Sequence, residues 1–326
     1  MGASPRIAVV IVNWNETDIS LVCIHSVLRA GYPNLDVVLV DNGSDDDPTE
    51  ALRVFAGKVE VVRLKTNRGY GAACNEGAMR AMARDAHYVL FLNNDTTIDA
   101  ATLPELLKAA RTKPPAILAP MIVYADNGSR VWSAGGYLVY PWMKNFHIGQ
   151  GGLARSYSVG RRVDWATGCA LLVASSTYRR LGPLDEDFFL YLEDVDWCLR
   201  AATLGIETRY VPSASVRHEV STTVMRRLPA AHVRYYAYRN YYRLAFRYAP
   251  GWARPLIAAE LTWTLAKIGI RWIFFPSFRR NAYYHARTRG LLDFLRGQWG
   301  PAPASFAPEF DGLNVGIDLQ KASVRQ

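Results

Sequence analysis

Carboxylate and amide side chains follow several apolar runs of this sequence, and each group suits a particular ligand. Asp41 ends the apolar run 37–40 and enters the tight turn Asn42-Gly43-Ser44. Its carboxylate either accepts the imide N–H of a uracil or thymine base or lies in a solvated turn, where it caps a neighbouring residue. The next acids, Asp45 to Asp47, are interpreted as solvated residues that favour the following helix start.

A glycine-rich turn, Asn67-Arg68-Gly69-Tyr70-Gly71, precedes a predicted helix that also carries Asn75. Backbone N–H groups at a helix N-terminus attract anions such as phosphate. A glycine here alternatively lets a helix and a sheet pack closely. The turn contains neither the dinucleotide-binding fingerprint nor the P-loop lysine.

The segment Asn93-Asn94-Asp95 ends a third apolar run, 90–92. Asp95 is a candidate ligand of Mg²⁺ or Mn²⁺, because hard cations take oxygen ligands and share them with substrate phosphates. The alternative is an Asx turn that caps the helix beginning near Asp99.

Glu193 and Asp194 lie at a predicted helix start and are flanked by large apolar residues. Partial desolvation of such acids suits a general base, whereas the helix dipole alone is the alternative reason for their position. Asp196 and Arg200, four residues apart, are interpreted as a helix ion pair, and Asp185 to Asp187 as a polar loop.

Alternating apolar β-rich and helix-like segments predict an α/β fold with a mostly parallel sheet. The predicted strands are 7–12, 37–40, 59–64 and 88–92. The predicted helices are 17–30, 48–55, 70–83 and 100–112. Ligands of such sheets bind beyond the carboxyl ends of the strands. The polar residues expected there are Asn13, Asn15, Asp41, Asn67 and Asp95.

The second half of the chain is less regular. Residues 133–152 are rich in glycine and aromatics without a clear period, which predicts a long loop or an irregular hairpin of the kind that forms lids. A strand at 169–174, a helix at 193–204 ended by Gly205, and a short strand at 207–211 before His218 are predicted to follow.

The formal charge of +9 is concentrated near the C-terminus, where residues 226–296 hold 14 Lys or Arg and two acids. Arg239, Arg243 and Arg247 form a basic row on a predicted amphipathic helix. Basic, aromatic helices of this kind are typical of an anionic membrane interface. The alternative is a helical appendage packed on the catalytic domain, and no nucleic-acid-binding fold accompanies the charge.

Charged residues interrupt the apolar stretch 255–278, so a bilayer-crossing helix is not expected. The four cysteines form no CxxC pair, which predicts neither a zinc site nor a disulfide framework and favours a reducing cytoplasm. The run 7–12 has too short a charged lead and no cleavage site, so it is interpreted as a first strand rather than a secretory signal.

Five ordered segments resemble the family 2 glycosyltransferases of the GT-A fold, especially the rhamnosyltransferase-like branch, over about residues 6–225. They are Val10 to Asn15, Val40 to Ser44, Asn67 to Gly71 with Asn75, Asn93 to Asp95, and Phe188 to Arg200. Two positions depart from the family pattern. Asn93 replaces the first aspartate of the usual metal motif, and Glu219-Val220-Ser221 replaces the glycine-serine pair after the histidine.

The resemblance implies an inverting sugar transfer with Asp194 as the base, beside Glu193. It implies that Asp95 and His218 hold Mg²⁺ or Mn²⁺. The implied nucleotide-sugar site comprises Asn13, Asn15, Asp41, Asn67, Gly69, Asn75, Asn94 and Asp95. The implied sugar pocket comprises Trp165, Gly168 and Cys169.

The resemblance further implies a rhamnosyl donor such as dTDP-rhamnose and a lipid-linked or growing cell-surface glycan as acceptor, at the inner face of the cell membrane. The expected organisation is a GT-A catalytic domain over 1–225, with halves 1–115 and 116–225. A helical, membrane-associating region over 226–326 is expected to contact the membrane peripherally through 226–296. Nucleic acid is not an expected partner.

Three other functions stay open on the sequence. One is a transferase that uses UDP-galactose, UDP-galactofuranose or UDP-N-acetylglucosamine. Another is a nucleotide-sugar-binding protein in which Asn93 has removed catalysis. The third is a nucleotidyltransferase, although no basic nucleotidyltransferase loop lies near the N-terminus.

Overall fold

The computed structural model describes residues 4–55, 57–112, 115–126, 128–220, 230–279 and 281–303. Within them, ten strands form one mixed, mostly parallel sheet. The strands are β1 Ile7–Asn13, β2 Leu35–Asp41, β3 Val59–Arg63, β4 Tyr88–Asn93, β5 Thr96–Ile98, β6 Ala116–Tyr124, β7 Val131–Ser133, β10 Arg161–Val163, β11 Ala170–Ala174 and β12 Glu207–His218. Their order in the sheet is β10-β12-β6-β11-β4-β1-β2-β3, with β5 paired to β12 and β7 to β6.

The four strands β3, β2, β1 and β4 are parallel neighbours. Their apolar runs are continuous because helices cover both faces of the sheet, as parallel sheets require. The helices are α1 Thr17–Arg29, α2 Tyr70–Ala83, α3 Thr102–Thr112, α4 Ser175–Leu181, α5 Glu193–Thr203, α6 Ala230–Tyr248, α7 Arg254–Phe274, α8 Pro276–Arg279 and α9 Ala282–Leu295. The predicted α/β fold with C-terminal helices is confirmed.

Several predicted elements need correction. The segment 48–55 forms only a 3-10 turn, Ala51–Phe55. The strand expected at 207–211 continues through a bulge to His218, because it pairs with β6 and then also with β5. His218 therefore ends a strand instead of following one. Strands β5, β6, β7 and β10 and helix α4 were not predicted from the sequence.

The glycine-rich segment 133–152 adopts the hairpin of the two predicted alternatives. Its strands, β8 Gly136–Val139 and β9 Lys144–His147, pair antiparallel as a separate small sheet. Tyr241 of α6 donates a hydrogen bond to the carbonyl of Trp142 in the hairpin turn, at 2.9 Å. The hairpin is thus attached to the C-terminal helices.

Helix α6 turns its basic row towards the protein. Arg243 contacts the Asp185 carboxylate at 2.9 Å, and Arg247 contacts the carboxylate of Asp196 at 2.6 Å. Arg239 is fully buried. The basic row therefore packs on the rest of the protein, as the second of the two alternatives predicted. The acids at 185–196 need cationic partners because α6 covers them. Asp196, predicted to pair with Arg200, has Arg247 as its closer partner.

The C-terminal helices share the main hydrophobic core. Tyr242, Leu244, Ile257 and Leu291 belong to the same buried cluster as Phe91 of β4. The predicted boundary at 225 falls outside the described residues, so the domain division stays a prediction. Among the described helices, none combines the length and the apolar character that crossing a bilayer requires.

Candidate active site

Strands β1, β2 and β4 bring their polar ends to one edge of the sheet. Asn13 pairs with Asp41, and Val12 pairs with Asn93. The chain runs outward from β1 to β2 and β3 on one side, whereas β4 lies on the other side of β1. A crevice at such a reversal of strand order is where open α/β sheets bind ligands.

A continuous hydrogen-bonded chain crosses this edge. Asn13 donates to Oδ1 of Asp41 at 2.9 Å, and Ser20 of α1 donates to Oδ1 of Asn13 at 2.8 Å. Asn94 donates in turn to the Ser20 hydroxyl at 3.1 Å. All four residues are buried. Ser20 was not predicted as a site residue, since a lone serine in an amphipathic helix carries no signal.

The carboxylate of Asp41 is fully buried and caps its own turn. Its Oδ1 accepts from Asn13 and from the Ser44 hydroxyl. Its Oδ2 has no hydrogen-bond partner and lies 3.5 Å from Nε of the half-exposed Arg63. Asp41 therefore accepts from its neighbour Ser44, as the second alternative predicted, but the turn is buried instead of solvated, and contact of Asp41 with a base stays a prediction. The side-chain amide of Asn15, in the loop after β1, donates a hydrogen bond to the carboxylate of Asp45, in the loop after β2, at 3.1 Å. This bond joins the two loops.

The backbone N–H groups of the glycine-rich turn are engaged within the protein. Arg68 N donates to Asn42, Gly69 N to the Asn67 side chain, and Tyr70 N to the carbonyl of Phe189. Gly69 has φ +89°, and a Cβ there would lie 2.4 Å from the Phe189 oxygen. Gly69 thus allows the turn to pack closely against the loop at Phe189, which is neither the predicted helix-on-sheet packing nor a phosphate contact, and phosphate binding by this turn stays a prediction.

Asn75 is buried and supports the loop that leads to the acidic helix. Its amide donates to the carbonyl of Leu184 and to Glu186, and its oxygen accepts from Tyr178 and from the Leu184 N–H. An amide group has two donor hydrogens and one acceptor oxygen with two lone pairs, so this side chain is fully used. Asn75 thus positions the loop, and a ligand contact by it stays a prediction.

Asp95 and His218 are adjacent and buried. Thr96 of β5 pairs with His218 of β12, which places Asp95 Oδ1 at 3.2 Å from Nε2 of His218. Neither Asp95 Oδ1 nor Nδ1 of His218 has a hydrogen-bond partner. Buried polar atoms without partners are rare in folded proteins, and a bound water or ion is one of the explanations for them.

The pair fits a divalent cation. Two ligands at right angles, each about 2.1 Å from an ion, lie about 3 Å apart, close to the separation seen here. Within the described residues no group of three or more His, Cys, Asp or Glu is placed to hold a metal. An ion held by Asp95 and His218 therefore needs further ligands, such as diphosphate oxygens, which is how Mg²⁺ and Mn²⁺ are commonly bound.

Glu193 and Asp194 begin α5 beside the predicted sugar pocket. Asp194 Oδ2 accepts from the N–H of Gly168 at 2.7 Å, and its Oδ1 accepts from the N–H of Val195 at 2.7 Å. Burial raises the pKa of the Asp194 carboxyl above its ordinary value. Burial, and then the charge of Asp194, raise the pKa of Glu193 to about 8. Glu193 is thus favoured as the neutral acid of the pair.

Residues 168 and 169 connect the acidic helix to the end of β4. The N–H of Gly168 binds Asp194, and the carbonyl of Cys169 accepts from Asn93 N at 2.9 Å. Burial and the nearby carboxylates of Asp95 and Asp194 raise the pKa of the Cys169 thiol well above its ordinary value. The structure therefore brings Asp41, Asp95, Asp194 and His218 to one edge of the sheet.

Aromatic rings line the side of the site next to His218. The ring centroids of Trp165 and His147 lie 4.8 Å apart, those of His147 and Trp132 4.6 Å, and those of Trp132 and His218 4.5 Å. Burial, aided by His218, lowers the pKa of His147 to about 4, so this ring is neutral. Trp132 and His147 were missed because they lie on short strands that the sequence pattern does not indicate.

Comparisons with known sequences agree with these motifs. The profile of Glycosyl transferase family 2 matches residues 8–160, and that of Glycosyl transferase family group 2 matches residues 88–288. An N-acetylglucosaminyl-diphospho-decaprenol L-rhamnosyltransferase of Mycobacterium tuberculosis is 33% identical over 251 residues, which cover 71% of this chain and 80% of the relative. A dTDP-rhamnosyl transferase of Shigella flexneri is 22% identical, with 57% of this chain and 60% of that protein covered.

A solved structure supports the fold. The chain resembles the mannosyltransferase PcManGT of Pyrobaculum calidifontis, determined in complex with GDP-Man and Mn²⁺, with a TM-score of 0.55 and 16% identity. The alignment covers 91% of this chain and 88% of that protein. At this identity the likeness shows a shared fold.

Divalent metal is expected to bind mainly together with a nucleoside diphosphate, because Asp95 and His218 supply only two ligands. Mn²⁺ plus dTDP should raise the unfolding midpoint more than the summed effects of each alone, in a thermal-shift titration. Asp95→Asn or His218→Ala should weaken the joint binding by about tenfold or more, whereas the exposed His25→Ala should not. An unchanged affinity in both site variants would contradict the metal assignment.

The neutral form of Glu193 predicts a pH-dependent stability difference. A carboxyl whose pKa is raised from 4.5 to about 8 in the fold loses stability as pH rises through that interval, because only the unfolded chain ionises freely. Glu193→Gln, which cannot ionise, should match the wild type near pH 5 and unfold at a higher temperature near pH 8. The exposed Glu50→Gln is the control. Parallel unfolding midpoints at every pH would refute the neutral acid.

Proposed function

This chain belongs to family 2 of the glycosyltransferases, and on that basis we propose that it transfers a rhamnosyl group from dTDP-rhamnose to a hydroxyl of a lipid-linked glycan. The observation that carries the proposal is a connected set of contacts at the switch point of the sheet. Asp194 accepts from the N–H of Gly168, the carbonyl of the next residue, Cys169, accepts from Asn93 N, and Asp95, two residues after Asn93, lies 3.2 Å from His218. This edge provides a base for an acceptor hydroxyl next to ligands for a diphosphate-bound cation.

The reaction makes one bond and breaks one. The acceptor oxygen forms a bond to the anomeric carbon while the bond from that carbon to the diphosphate oxygen breaks, and Asp194 takes the hydroxyl proton. A raised pKa makes an ionised Asp194 a stronger base. The N–H of Gly168 orients the carboxylate through Oδ2. Inversion at the anomeric carbon follows if the acceptor attacks from the face opposite the diphosphate.

The Asp95–His218 pair would hold the divalent cation, which when bound neutralises charge on the diphosphate leaving group. The buried Asn94 and Ser20 fix the backbone around Asp95 through their hydrogen bond. With Asn93 in place of a second aspartate, Asp95 is the one carboxylate of this motif. A cation held this way depends on the donor, so metal and donor bind as a unit.

Two relatives support rhamnose and a lipid carrier for this chain. One is named for N-acetylglucosaminyl-diphospho-decaprenol and L-rhamnose, and the other is named for dTDP-rhamnose. The corresponding proposal is that the acceptor carries a sugar on a polyprenyl diphosphate. UDP-sugars remain the competing donors.

The test is release of nucleoside diphosphate by the purified enzyme with Mn²⁺ or Mg²⁺ and an N-acetylglucosaminyl-diphospho-polyprenol acceptor. dTDP-rhamnose should support turnover, and UDP-galactose, UDP-galactofuranose and UDP-N-acetylglucosamine should not. Asp194→Asn should lower kcat by about 10²- to 10⁴-fold, as expected for loss of a general base, and leave donor binding unchanged.

Asp85→Asn is the matched control, because Asp85 is exposed and asparagine suits its φ of +59°. Turnover with a UDP-sugar alone would replace the donor assignment. Donor binding without turnover by the wild type would support the non-catalytic binding protein. Full activity of Asp194→Asn would refute the base assignment.

We further propose peripheral membrane contact, through the outer face of α7. This face exposes apolar side chains along its length, among them Trp263 at 61%, Ile273 at 66% and Phe274 at 70%. The only acids of 254–296, Glu260 and Asp293, are half-buried and buried, so the exposed charge near this face is cationic. Exposed apolar residues with cations around them fit an anionic lipid surface better than a neutral one.

If α7 contacts the membrane, the protein should co-sediment with vesicles that contain phosphatidylglycerol and bind phosphatidylcholine vesicles more weakly. Salt should weaken the binding to the phosphatidylglycerol vesicles. Trp263→Glu combined with Phe274→Glu should reduce the bound fraction at least tenfold, because both large side chains leave the interface. Val54→Glu, an exposed apolar site on the first half of the chain, is the control. Unchanged vesicle binding, or a dimer in solution that the double substitution dissociates, would refute this assignment.

A further inference from the structure

The loop before Glu193 has an unusual backbone. Phe189, Tyr191 and Leu192 have φ of +62°, +68° and +70°, a region that side chains other than glycine rarely adopt. Leu190 N donates to the carbonyl of Phe188 at 2.7 Å, so the chain reverses within three residues. Such a conformation persists only when neighbouring structure holds it in place.

Two buried side chains of α6 hold this loop. Asn240 Nδ2 donates to the carbonyls of Phe188, Leu190 and Tyr191, at 2.9, 2.8 and 2.9 Å. Arg239 donates to the carbonyls of Asp187 at 3.1 Å and Phe188 at 2.9 Å. Both side chains are 0% exposed, so these bonds form away from water.

The orientation of Asn240 is itself determined. Arg239 Nε donates to Oδ1 of Asn240 at 3.0 Å, which directs the NH₂ group of the amide towards the loop. Arg239 is anchored from the other side by the carbonyl of Gly300, at 2.7 Å. The two side chains therefore act together as hydrogen-bond donors to four loop carbonyls, those of Asp187, Phe188, Leu190 and Tyr191.

The loop joins both halves of the candidate site. Its Phe189 carbonyl accepts from Tyr70 N in the glycine-rich turn, at 2.8 Å. Its last residue, Leu192, directly precedes α5 and accepts at its carbonyl from Asp196 N, at 2.9 Å. A shift of the loop carbonyls consequently moves the start of α5, where Asp194 lies.

We propose that Asn240 and Arg239 are positioning residues for the transfer reaction, which hold the 187–192 loop so that Asp194 faces the acceptor hydroxyl. The proposal rests on the proposed role of Asp194 as general base. It assigns a part in turnover to the C-terminal helix, although neither residue lies at the carboxyl edge of the sheet.

The test compares Asn240→Asp, which is isosteric but lacks the donor NH₂ group, with Leu244→Ala. Leu244 is a fully buried apolar residue of the same helix, and its loss lowers stability without removing a donor to the loop. Asn240→Asp should lower kcat about 10- to 100-fold and change KM for the donor by less than twofold. Arg239→Lys, which keeps the charge but loses the paired donors, is the second variant and should act in the same direction.

Two readouts separate positioning from general stability. Amide hydrogen exchange in 188–195 should rise at least tenfold in Asn240→Asp and not in Leu244→Ala. The acidic limb of the kcat profile should move to lower pH, because a loosened loop admits water to the Asp194 carboxyl, whose pKa burial raises. A wild type without turnover would refute the proposed function, and the exchange data alone would then decide whether Asn240 and Arg239 hold the loop. Exchange and kcat changes no larger than those of Leu244→Ala would overturn the positioning role.

Discussion

A buried carboxylate is stable only where donors or a cation meet it, and this constraint organises the site and its surroundings. Asp41 has Asn13 and Ser44, and Asp196 has Arg247 and the hydroxyl of Tyr248. Asp194 has two backbone N–H groups. Glu193 and Asp95 each have a buried carboxylate oxygen to which no described residue donates a hydrogen bond. Burial favours the neutral form of Glu193, and the unbonded Oδ1 of Asp95 lies 3.2 Å from Nε2 of His218.

The same constraint explains why the C-terminal helix packs with its charged side inward. Loop carbonyls and the acids at 185–196 present many acceptors, and α6 supplies donors to them at intervals of one turn. Arg239 and Asn240 meet the carbonyls, while Arg243 and Arg247 meet the carboxylates. Most of the large apolar side chains that the described C-terminal helices expose lie on α7.

The regular part of the fold was predictable because its strands are continuous apolar runs. Helix α2 was placed at its observed bounds, 70–83. The prediction of a helix at 48–55 was wrong, because only five of these residues are helical and they form a 3-10 turn. The predicted strand ended at 211 and the observed β12 continues beyond it, because a bulge between Val211 and Ser215 interrupts the alternation of side chains between the two faces of the sheet.

The site was predictable where a motif carried it and unpredictable where contacts are long-range. The adjacency of Asp95 and His218 came from the family resemblance, because their separation in sequence hides the β5–β12 pairing that joins them. The basic row of α6 illustrates a general limit. Helical spacing shows that Arg239, Arg243 and Arg247 share a face, but whether that face meets water, lipid or protein depends on a distant acidic loop.

The interlocking of α6 with the acidic loop bears on the modular organisation of the protein. A fragment that lacked α6 would leave Asp196 without its nearest cation and several loop carbonyls without donors, and it would uncover Phe188, which is fully buried. Loss of α6 is therefore expected to destabilise the 187–192 loop and the start of α5. The conformation of the segment that carries Asp194 is thus coupled to the packing of a helix that follows the sheet in the sequence.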